Sequence, residues 1–438
     1  MPGRTLPPGT DPDGLAARLE VLGAWLQARQ PLWQPRAFTG TDPGWVAERP
    51  ELGTWLLACA ERGDDAVDAL HATLTPGSVS HPADAPAHWH ALVAETATHT
   101  AWTDWRRPDP AQTSRPPGIP GRKWLEIIGF TTAIAQTASP AAPSDASDVH
   151  EVHEVPDVHE VPWIADWCAG KAHVGRTLAK ALGRRLWALD HDAALARDAA
   201  GLAEADGVHL RFERCDLLAG PPRSSPRPLE WVVGLHACGG LGNRLLDFAI
   251  AEEAPAVALA PCCLHRHHGA PGWPTRSETA RATGLTLDHA ALRLATADEV
   301  VARPTLRLRR RRDEGFRQAV DLRLRELTGE DRHHPLGTLP AAWFDSEFKD
   351  FALRVGDRLG RDLGPPAALA SALREGTRRA TRARALGAVR AVFRRPIELF
   401  AALDRALWLA EHGRRVRLAP FCSPRVTPRN LLITGVCA

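Results

Sequence analysis

The chain has 438 residues, of which 44% are hydrophobic and 24% charged, so it can bury at least one sizeable core and is neither a disordered tail nor a fibrous repeat. Its formal net charge is +2, and its longest apolar run, residues 255–264, is shorter than the ~18 residues that a membrane-spanning helix needs. The eight cysteines have no CxxC spacing, which argues against a disulfide framework. Because the first residues carry no apolar signal stretch, we expect a cytoplasmic location.

The positive charge is segregated along the chain. Residues 303–332 carry a net charge of +4 and residues 372–395 a net charge of +7, on an otherwise mildly acidic chain. Only four lysines occur and tyrosine is absent, a bias typical of GC-rich codon usage, so arginine abundance alone does not indicate nucleic acid. The two basic segments predict a localised anion-facing surface, with a solvated helix face as the alternative.

The first part of the chain, residues 1–138, is predicted to be a helical region. Leu15, Leu19, Leu22 and Trp25 follow helical spacing, and residues 122–135 form a second amphipathic pattern. Residues 139–162 then repeat His-Glu-Val and read as a flexible low-complexity insert that the fold can dispense with. A histidine-rich tract can bind metal, but this one has no core to fix a geometry, so we expect no metal site there.

From Trp163 onward, short apolar runs alternate with helices, which predicts a parallel sheet with crossover helices. Five strands are expected within the core segment 163–275, followed by an arginine-rich, mostly helical insertion over 276–395. The segment 396–438 returns to the core with a last helix and two strands, whose eight-residue connection is too short for a crossover and predicts an antiparallel pair. The predicted strands are 163–168, 185–190, 208–216, 229–237, 254–263, 416–422 and 431–437.

Carboxylates follow the first three strands. Asp166 opens the turn DWCAGKAHVG, Asp190 ends the second strand and Asp216 ends the third. The turn lacks both the GxGxxG of dinucleotide-binding enzymes and the GxxxxGK[ST] of a P-loop. Three carboxylates at successive strand ends fit the S-adenosylmethionine site of class I methyltransferases better than a redox site.

Three motifs carry a family resemblance: DWCAGKAHVGRTLA, LHACGGLGNRLLDFAI and APCCLHRH. Together they resemble a branch of class I methyltransferases with D-x-C-[AS]-G-[KG]-G-H, H-x-C-G and C-C motifs, similar to eukaryotic tRNA acceptor-stem ribose methylases. The stretches KWLEIIGF, LDRALWLAEHG and TPRNLLI extend the resemblance. It implies a Rossmann-like α/β fold with a seven-stranded sheet. The sequence departs from the branch at Ala172, where glycine is usual and where a methyl group could tighten the pocket.

The resemblance also implies a cofactor, S-adenosyl-L-methionine, and a set of residues that bind it. Asp166 would hold the methionine amino group, Gly170 would admit the carboxylate, Asp190 would bind ribose, and Asp216 with Leu217 would frame adenine. For Asp166 and Asp190 the alternative is a structural carboxylate at a turn. The remaining residues of the predicted cofactor site are Cys168, Ala169, Lys171, Ala172 and His236.

The acceptor side is predicted at the ends of the fourth and fifth strands. Candidate catalytic residues there are His236, Cys238, Cys263 and His265. His236 is a candidate general base, a cysteine is a candidate methyl-carrying nucleophile, and plain packing of the thiols is the alternative. Zinc is disfavoured because adjacent residues of a strand, here Cys262 and Cys263, point to opposite faces.

These observations predict a SAM-dependent methyltransferase whose acceptor is RNA, with tRNA favoured. The alternatives are an inactive methyltransferase fold that only binds a partner, and an enzyme acting on a small molecule or protein. On a helix, Arg374, Arg378 and Arg382 form one stripe, which together with segment 303–332 is the predicted RNA surface. No membrane partner is expected, and the sequence leaves the oligomeric state open.

Overall fold

The structure is a computed structural model that describes residues 12–39, 42–74, 82–102, 115–116, 119–138, 160–266, 272–296 and 304–437. The chain divides into two compact units. The first takes in Met1–Gln27, His99–Thr296 and Arg395–Ala438, and the second Ala28–Thr98 and Ala297–Arg394. Part of the predicted N-terminal helical region therefore groups with the arginine-rich segment. The predicted insert 139–162 lies mostly outside the described residues.

The described elements follow the chain in this order. The strands are β1 (Trp163–Trp167), β2 (Arg185–Asp190), β3 (Leu210–Arg214), β4 (Leu229–Cys238), β5 (Ala256–Cys262), β6 (Arg414–Pro420) and β7 (Leu431–Cys437). The helices are α1 (Pro12–Ala28), α2 (Gln30–Trp33), α3 (Trp45–Glu48), α4 (Pro50–Glu61), α5 (Asp64–Thr73), α6 (Ala87–Thr100), α7 (Gly121–Ala138), α8 (His173–Leu182), α9 (Leu195–Asp206), α10 (Gly240–Ala251), α11 (Glu278–Ala282), α12 (His289–Thr296), α13 (Pro304–Thr328), α14 (Phe348–Leu359), α15 (Pro366–Val392) and α16 (Arg394–Glu411).

The first unit is built on one seven-stranded sheet with the order β3-β2-β1-β4-β5-β7-β6. Strands β1 to β5 are parallel, whereas β7 runs antiparallel to both β5 and β6. Every residue of β1, β2 and β5 is buried, as expected for parallel strands covered on both faces. The order changes direction between β1 and β4, so the carboxyl ends of these two strands face the crevice where open α/β sheets bind ligands.

The structure has all seven predicted strands, and for five of them the first or last residue differs from the predicted one. Strand β3 is the most altered, since it covers 210–214 where 208–216 was predicted. The amide of Cys215 still donates to the carbonyl of Asp190 at 2.9 Å, so the ladder hydrogen bonds to β2 reach one residue past the end of β3. Helix α16 begins at Arg394, two residues before the predicted segment 396–438. Pro396 lies in its first turn, where the backbone N–H that proline lacks has no partner within the helix.

The second unit has a separate core. In it the rings of Phe316 and Phe351 pack against each other, with their centroids 5.2 Å apart. Its arginines are used internally as well as at the surface. Arg311 of α13 and Arg384 of α15 both form ion pairs with Asp68, and Arg384 also contacts Asp64 at 2.8 Å. Part of the basic charge predicted to face anions therefore neutralises acids of α5.

The motif LDRALW of α16 is a structural anchor in the first unit. Asp404 is fully buried and accepts hydrogen bonds from Trp273 Nε1 at 2.7 Å, from Ser277 N at 2.8 Å and from Ser277 Oγ at 2.9 Å. Its neighbour Arg405 is also fully buried and donates to the carbonyl of Gly239 at 3.1 Å. These two side chains fix the segment after β5 and the turn after β4.

Among the described residues, no helix is both long enough and apolar enough to cross a membrane.

We predict that Asp404→Ala destabilises the fold strongly, because it leaves buried donors of Trp273 and Ser277 unsatisfied. The expected loss in the free energy of unfolding is about 3–5 kcal/mol, the range for removing one partner of a buried charged network. Urea unfolding followed by tryptophan fluorescence measures it. As a control, Asp198→Ala removes an exposed carboxylate and should cost less than about 1 kcal/mol. Equal losses in the two variants would contradict the anchoring interpretation.

Candidate active site

Asp166 is a buried carboxylate at the end of β1. Its Oδ2 accepts a hydrogen bond from the backbone amide of Gly175 at 2.9 Å. Burial raises the pKa of Asp166; the Gly175 hydrogen bond opposes this shift and the charge of Asp190 adds to it, so that the pKa lies at about 7. Asp166 therefore changes charge near neutral pH. Such a carboxyl can lose its proton when a cationic group of a ligand binds beside it.

The turn after β1 is held in left-handed backbone at several positions. Cys168, Gly170 and Ala172 have φ values of +61°, +57° and +56°. A Cβ built on Gly170 would meet no atom within 4 Å, so this part of the backbone faces open space. Ala172, in contrast, is fully buried within the core cluster, where its methyl group packs rather than narrowing the space at the turn.

Asp190 ends β2 and faces the same turn. Its Oδ2 accepts the amide of Gly170 at 2.9 Å and its Oδ1 accepts the amide of Asp192 at 3.0 Å. The Nδ1 of the exposed His191 also lies 3.1 Å from Oδ1, so of the roughly four lone-pair positions of this carboxylate two accept backbone amides and one faces the imidazole. Burial, followed by the charges of Asp190 and Asp166, raises the pKa of the Cys168 thiol to about 12, which keeps this thiol neutral.

The remaining predicted cofactor residues differ in exposure. Asp216 is exposed and its Oδ1 accepts the amide of Leu218 at 3.1 Å, whereas Leu217 is buried. Lys171 reaches α9, where its Nζ contacts Asp198 at 2.7 Å. Ala169 is half-buried against the core and donates its amide to Leu189 at 3.0 Å.

His236 occupies an irregular position within β4. The register between β4 and β5 shifts between Leu235 and Ala237, and His236 has a φ of +70°. Such a bulge redirects a side chain away from the regular alternation of a strand. The His236 Nε2 lies 2.6 Å from Oε1 of Glu126 on α7, so the bulge brings an imidazole to a carboxylate.

Glu126 is itself buried and contacts the side chains of both His236 and Lys123. Its Oε2 accepts from Nζ of Lys123 at 2.9 Å. Burial raises the pKa of Glu126, but the hydrogen bond and charge of His236, followed by those of Lys123, outweigh it and lower the pKa below its usual range. An ionised Glu126 can fix the orientation and tautomer of the His236 ring, as the carboxylate partner of a general base does.

Three cysteines meet at the ends of β4 and β5. Cys238 Sγ lies 2.9 Å from Cys262 Sγ, and the sulfurs of Cys238, Cys262 and Cys263 all lie within 4.8 Å of one another. The expectation that Cys262 and Cys263 point to opposite faces is wrong, because β5 ends at Cys262 and Cys263 has a φ of +43°. Strand alternation does not extend to a residue in left-handed backbone.

The three thiols differ in acidity. Hydrogen bonds from Cys238 and Cys262, and then the charges of Arg429 and Arg266, lower the pKa of Cys263 far below that of a free thiol despite its partial burial. Hydrogen bonding to the other thiols and burial raise the pKa of Cys262. Cys263 is therefore the thiolate of the cluster, stabilised by two thiol donors and two guanidinium groups.

His265 is held by different neighbours from those of His236. Its Nδ1 lies 2.9 Å from Oγ1 of Thr296, and its ring packs edge-on against His289 at 5.8 Å. Burial, followed by the positive charges of Arg293 and His289 against the opposing charge of Cys263, lowers the pKa of His265. The structure thus pairs His236 with Glu126 and places His265 beside the cysteine cluster.

Two residues of this site escaped the sequence analysis. Glu126 and Lys123 belong to the stretch KWLEIIGF, which was noted only for its resemblance. A single acid inside the apolar helix α7 was the available signal, since a buried carboxylate needs a partner. The partner itself, His236, is 110 positions away in the sequence, and only the fold brings the two together.

Residues 144–268, a little over a quarter of the chain, match the family model of a methyltransferase domain. The matched segment contains β1 to β5 and with them Asp166, Asp190, His236 and the cysteine cluster. The match and the mixed α/β sheet support a methyltransferase. No solved structure matches the chain.

We predict that Asp166→Asn changes how stability depends on pH. The folded pKa of about 7 lies above the ordinary value of 3.8, so the folded state holds an extra proton between these values and stability falls as pH rises through them. Asparagine can still accept the Gly175 amide but carries no charge. Relative to wild type, the variant should therefore gain on the order of 1 kcal/mol or more between pH 5 and pH 8.

Urea unfolding at several pH values measures this difference. Asp192→Asn is the control, since Asp192 is exposed and caps only the amide of Ala194. Parallel stability curves for wild type and Asp166→Asn would show that Asp166 has no raised pKa.

Proposed function

We propose that this chain transfers a methyl group from S-adenosylmethionine to RNA, with tRNA as the acceptor. The observation that carries the proposal is the position of Asp166, Asp190 and Asp216 after three successive parallel strands, around a turn whose backbone is open at Gly170. Asp166 and Asp190 are buried, and among the described residues backbone amides alone donate hydrogen bonds to Asp166 Oδ2 and Asp190 Oδ2, although burying a carboxylate is costly. Their position at this edge of the sheet supports a ligand with complementary donors.

Each carboxylate suits one part of this cofactor. Asp190 accepts two backbone amides and contacts the exposed His191 ring, so ribose hydroxyl groups would use its remaining lone pair and the position that His191 occupies. Ionised Asp166 would pair with the amino group of the methionine part, and the open backbone at Gly170 would admit its carboxylate near the start of α8. Leu217 offers a buried apolar contact for adenine, beside the carboxylate of Asp216.

The cofactor supplies an activated methyl group on a sulfonium, and the chain's residues act on the acceptor. His236 is the candidate base, because Glu126 holds its Nε2 at 2.6 Å and leaves Nδ1 as the nitrogen that can take a proton from an acceptor hydroxyl. Lys123 completes the arrangement by binding the other oxygen of Glu126. Ionised Glu126 would stabilise the imidazolium that forms after proton transfer.

RNA as acceptor rests on two observations of different kinds. The motif resemblance points to tRNA methylases, and the second unit carries exposed arginines on α15. Arg374 and Arg378 are exposed, whereas Arg382 is half-buried. Arg378 contacts Glu375 at 2.8 Å and Arg382 contacts Asp42 at 2.5 Å, so a phosphate would have to compete with a carboxylate at two of the three positions.

The direct test is transfer of a tritiated methyl group from S-adenosylmethionine to separate pools of total RNA, total protein and small metabolites. Label in RNA that resolves to tRNA supports the proposal. Label confined to protein or metabolites would support a methyltransferase and would contradict RNA as its acceptor. No transfer to any pool, with S-adenosylmethionine bound, would favour a methyltransferase fold that only binds its partner.

We predict that Asp190→Ala strongly weakens S-adenosylmethionine binding while the protein stays folded. Hydrogen bonds to a charged acceptor contribute about 1.5–3 kcal/mol, so losing the ribose contacts should weaken affinity by roughly 10- to 150-fold. Isothermal titration calorimetry measures it, with circular dichroism to check the fold. Asp192→Ala is the matched control, two residues along in the same loop. Unchanged affinity in Asp190→Ala would remove β2 from the cofactor site.

We predict that replacing Arg374, Arg378 and Arg382 together by glutamine flattens the salt dependence of RNA binding. Each phosphate contact on a single strand contributes a log-log slope of roughly −0.7, so the slope should fall by about two units in magnitude if all three engage, and by less where Glu375 or Asp42 retains its arginine. Filter binding to tRNA across salt concentrations measures it. S-adenosylmethionine affinity should not change.

A charge-matched control replaces three exposed arginines of the first unit, Arg197, Arg223 and Arg415, by glutamine. If both triple variants lower the slope equally, the effect reflects net charge rather than a surface on α15. If the α15 variant keeps the wild-type slope, this helix does not bind RNA.

A further inference from the structure

Cys238, Cys262 and Cys263 form a cluster to which the proposed methyl transfer by His236 assigns no role. Its three sulfurs lie within 4.8 Å of one another, and each residue offers one ligand atom. Among the described residues this is the set of histidine, cysteine and acidic side chains that is grouped closely enough to share one ion. Thiolates are the ligands that zinc and other soft divalent ions prefer.

The backbone is shaped to bring the three sulfurs together. Cys238 and Cys262 are register partners on neighbouring strands, which places their side chains side by side. Cys263 would point to the other face in a continuing strand, but its φ of +43° turns it back to the same side. Non-glycine residues rarely adopt this conformation, and those that do are concentrated at functional sites.

Hydrogen bonds hold this arrangement rigidly. The amide of Gly239 donates to the carbonyl of Cys262 at 3.1 Å, and the amide of Arg266 donates to the carbonyl of Cys263 at 2.8 Å. Gly239 has a φ of +56°, and a Cβ built there would lie 1.9 Å from the carbonyl oxygen of Arg266, so only glycine fits between the two loops. A preorganised set of ligands lowers the cost of binding an ion.

The surrounding charge suits a thiolate complex. Arg266 and Arg429 both act electrostatically on Cys263, and Arg429 is tied by its guanidinium to the carbonyl of Thr296. Three thiolates around a divalent ion leave one net negative charge, which the two guanidinium groups can offset.

We propose that Cys238, Cys262 and Cys263 form a three-thiolate site for a soft divalent cation, with zinc as the expected ion. Three protein ligands leave one tetrahedral position for water or for another donor. The site lies at the carboxyl ends of β4 and β5, and its occupancy is independent of whether the chain transfers a methyl group.

The test uses the reduced full-length chain under anaerobic conditions, titrated with Co²⁺ alone as the probe. Thiolate ligation gives an intense sulfur-to-cobalt charge-transfer band in the near ultraviolet, which histidine and carboxylate ligands do not give. This band therefore separates the cluster from the histidines of the insert, His150, His153 and His159. We expect the band to saturate at one equivalent, and one equivalent of Zn²⁺ to abolish it.

Matched variants assign the site. Cys263→Ser should weaken cobalt and zinc binding by more than about 100-fold, since even loss of a supporting partner of a ligand costs about 10- to 100-fold. Cys263→Gly is the second variant, because glycine accepts the positive φ at this position and removes the sulfur without straining the fold. Cys437→Ser, at the exposed end of β7, is the control and should bind as wild type does.

The outcomes are distinct. A saturating band that is lost in both Cys263 variants and kept in Cys437→Ser supports the site. No band in wild type, or an equal band in the Cys263 variants, overturns it. A disulfide between Cys238 and Cys262, detected by mass spectrometry of the chain purified without reductant and persisting when Zn²⁺ is present, also overturns it, because those sulfurs would then be unavailable as ligands.

Discussion

The candidate site depends on left-handed backbone at the carboxyl ends of parallel strands. Four non-glycine residues there have positive φ: Cys168 and Ala172 after β1, His236 within β4, and Cys263 after β5. Side chains rarely adopt this conformation, and each instance costs about 1 kcal/mol or more. Because a regular strand would alternate these residues between two faces, the irregular backbone is what directs the imidazole and the thiols to one edge of the sheet.

This backbone persists because buried polar contacts from outside the strands hold it. Arg405 of α16 donates to the carbonyl of Gly239, directly after β4, and Asp404 fixes the segment around Ser277. Burial and then the nearby charge of Arg276, against the opposing charge of Asp404, lower the pKa of Arg405 to about 9. Helix α16 thus holds the turn after β4 and the segment after β5 across sequence separations of 166 and 127 residues.

The sequence was sufficient for the sheet and insufficient for the site's geometry. Strand positions follow from short apolar runs between helical segments, and β2 and β7 lie where the pattern predicts them to the residue. The ion pair between Glu126 and His236 was not predictable, because it joins α7 to a bulge in β4. The clustering of Cys262 with Cys263 was predicted wrongly for a related reason. Residue type and spacing indicate alternation, whereas the direction of a side chain at a strand end is set by one φ angle.

Two carboxylates of the site are held in opposite states, and this difference follows from their neighbours. Glu126 lies between His236 and Lys123, which lower its pKa, whereas Asp166 has one amide donor and the repelling charge of Asp190, so burial raises its pKa to about 7. Glu126 is therefore a permanent anion that orients a base, while Asp166 can lose its proton when a cationic group binds. Environments that separate the pKa values of neighbouring carboxyls in this way are typical of sites that divide proton transfer and ligand binding between two residues. In this chain the difference arises because Lys123 of α7 and His236 of β4 both contact Glu126, whereas Asp166 contacts the amide of Gly175 and is repelled by the charge of Asp190.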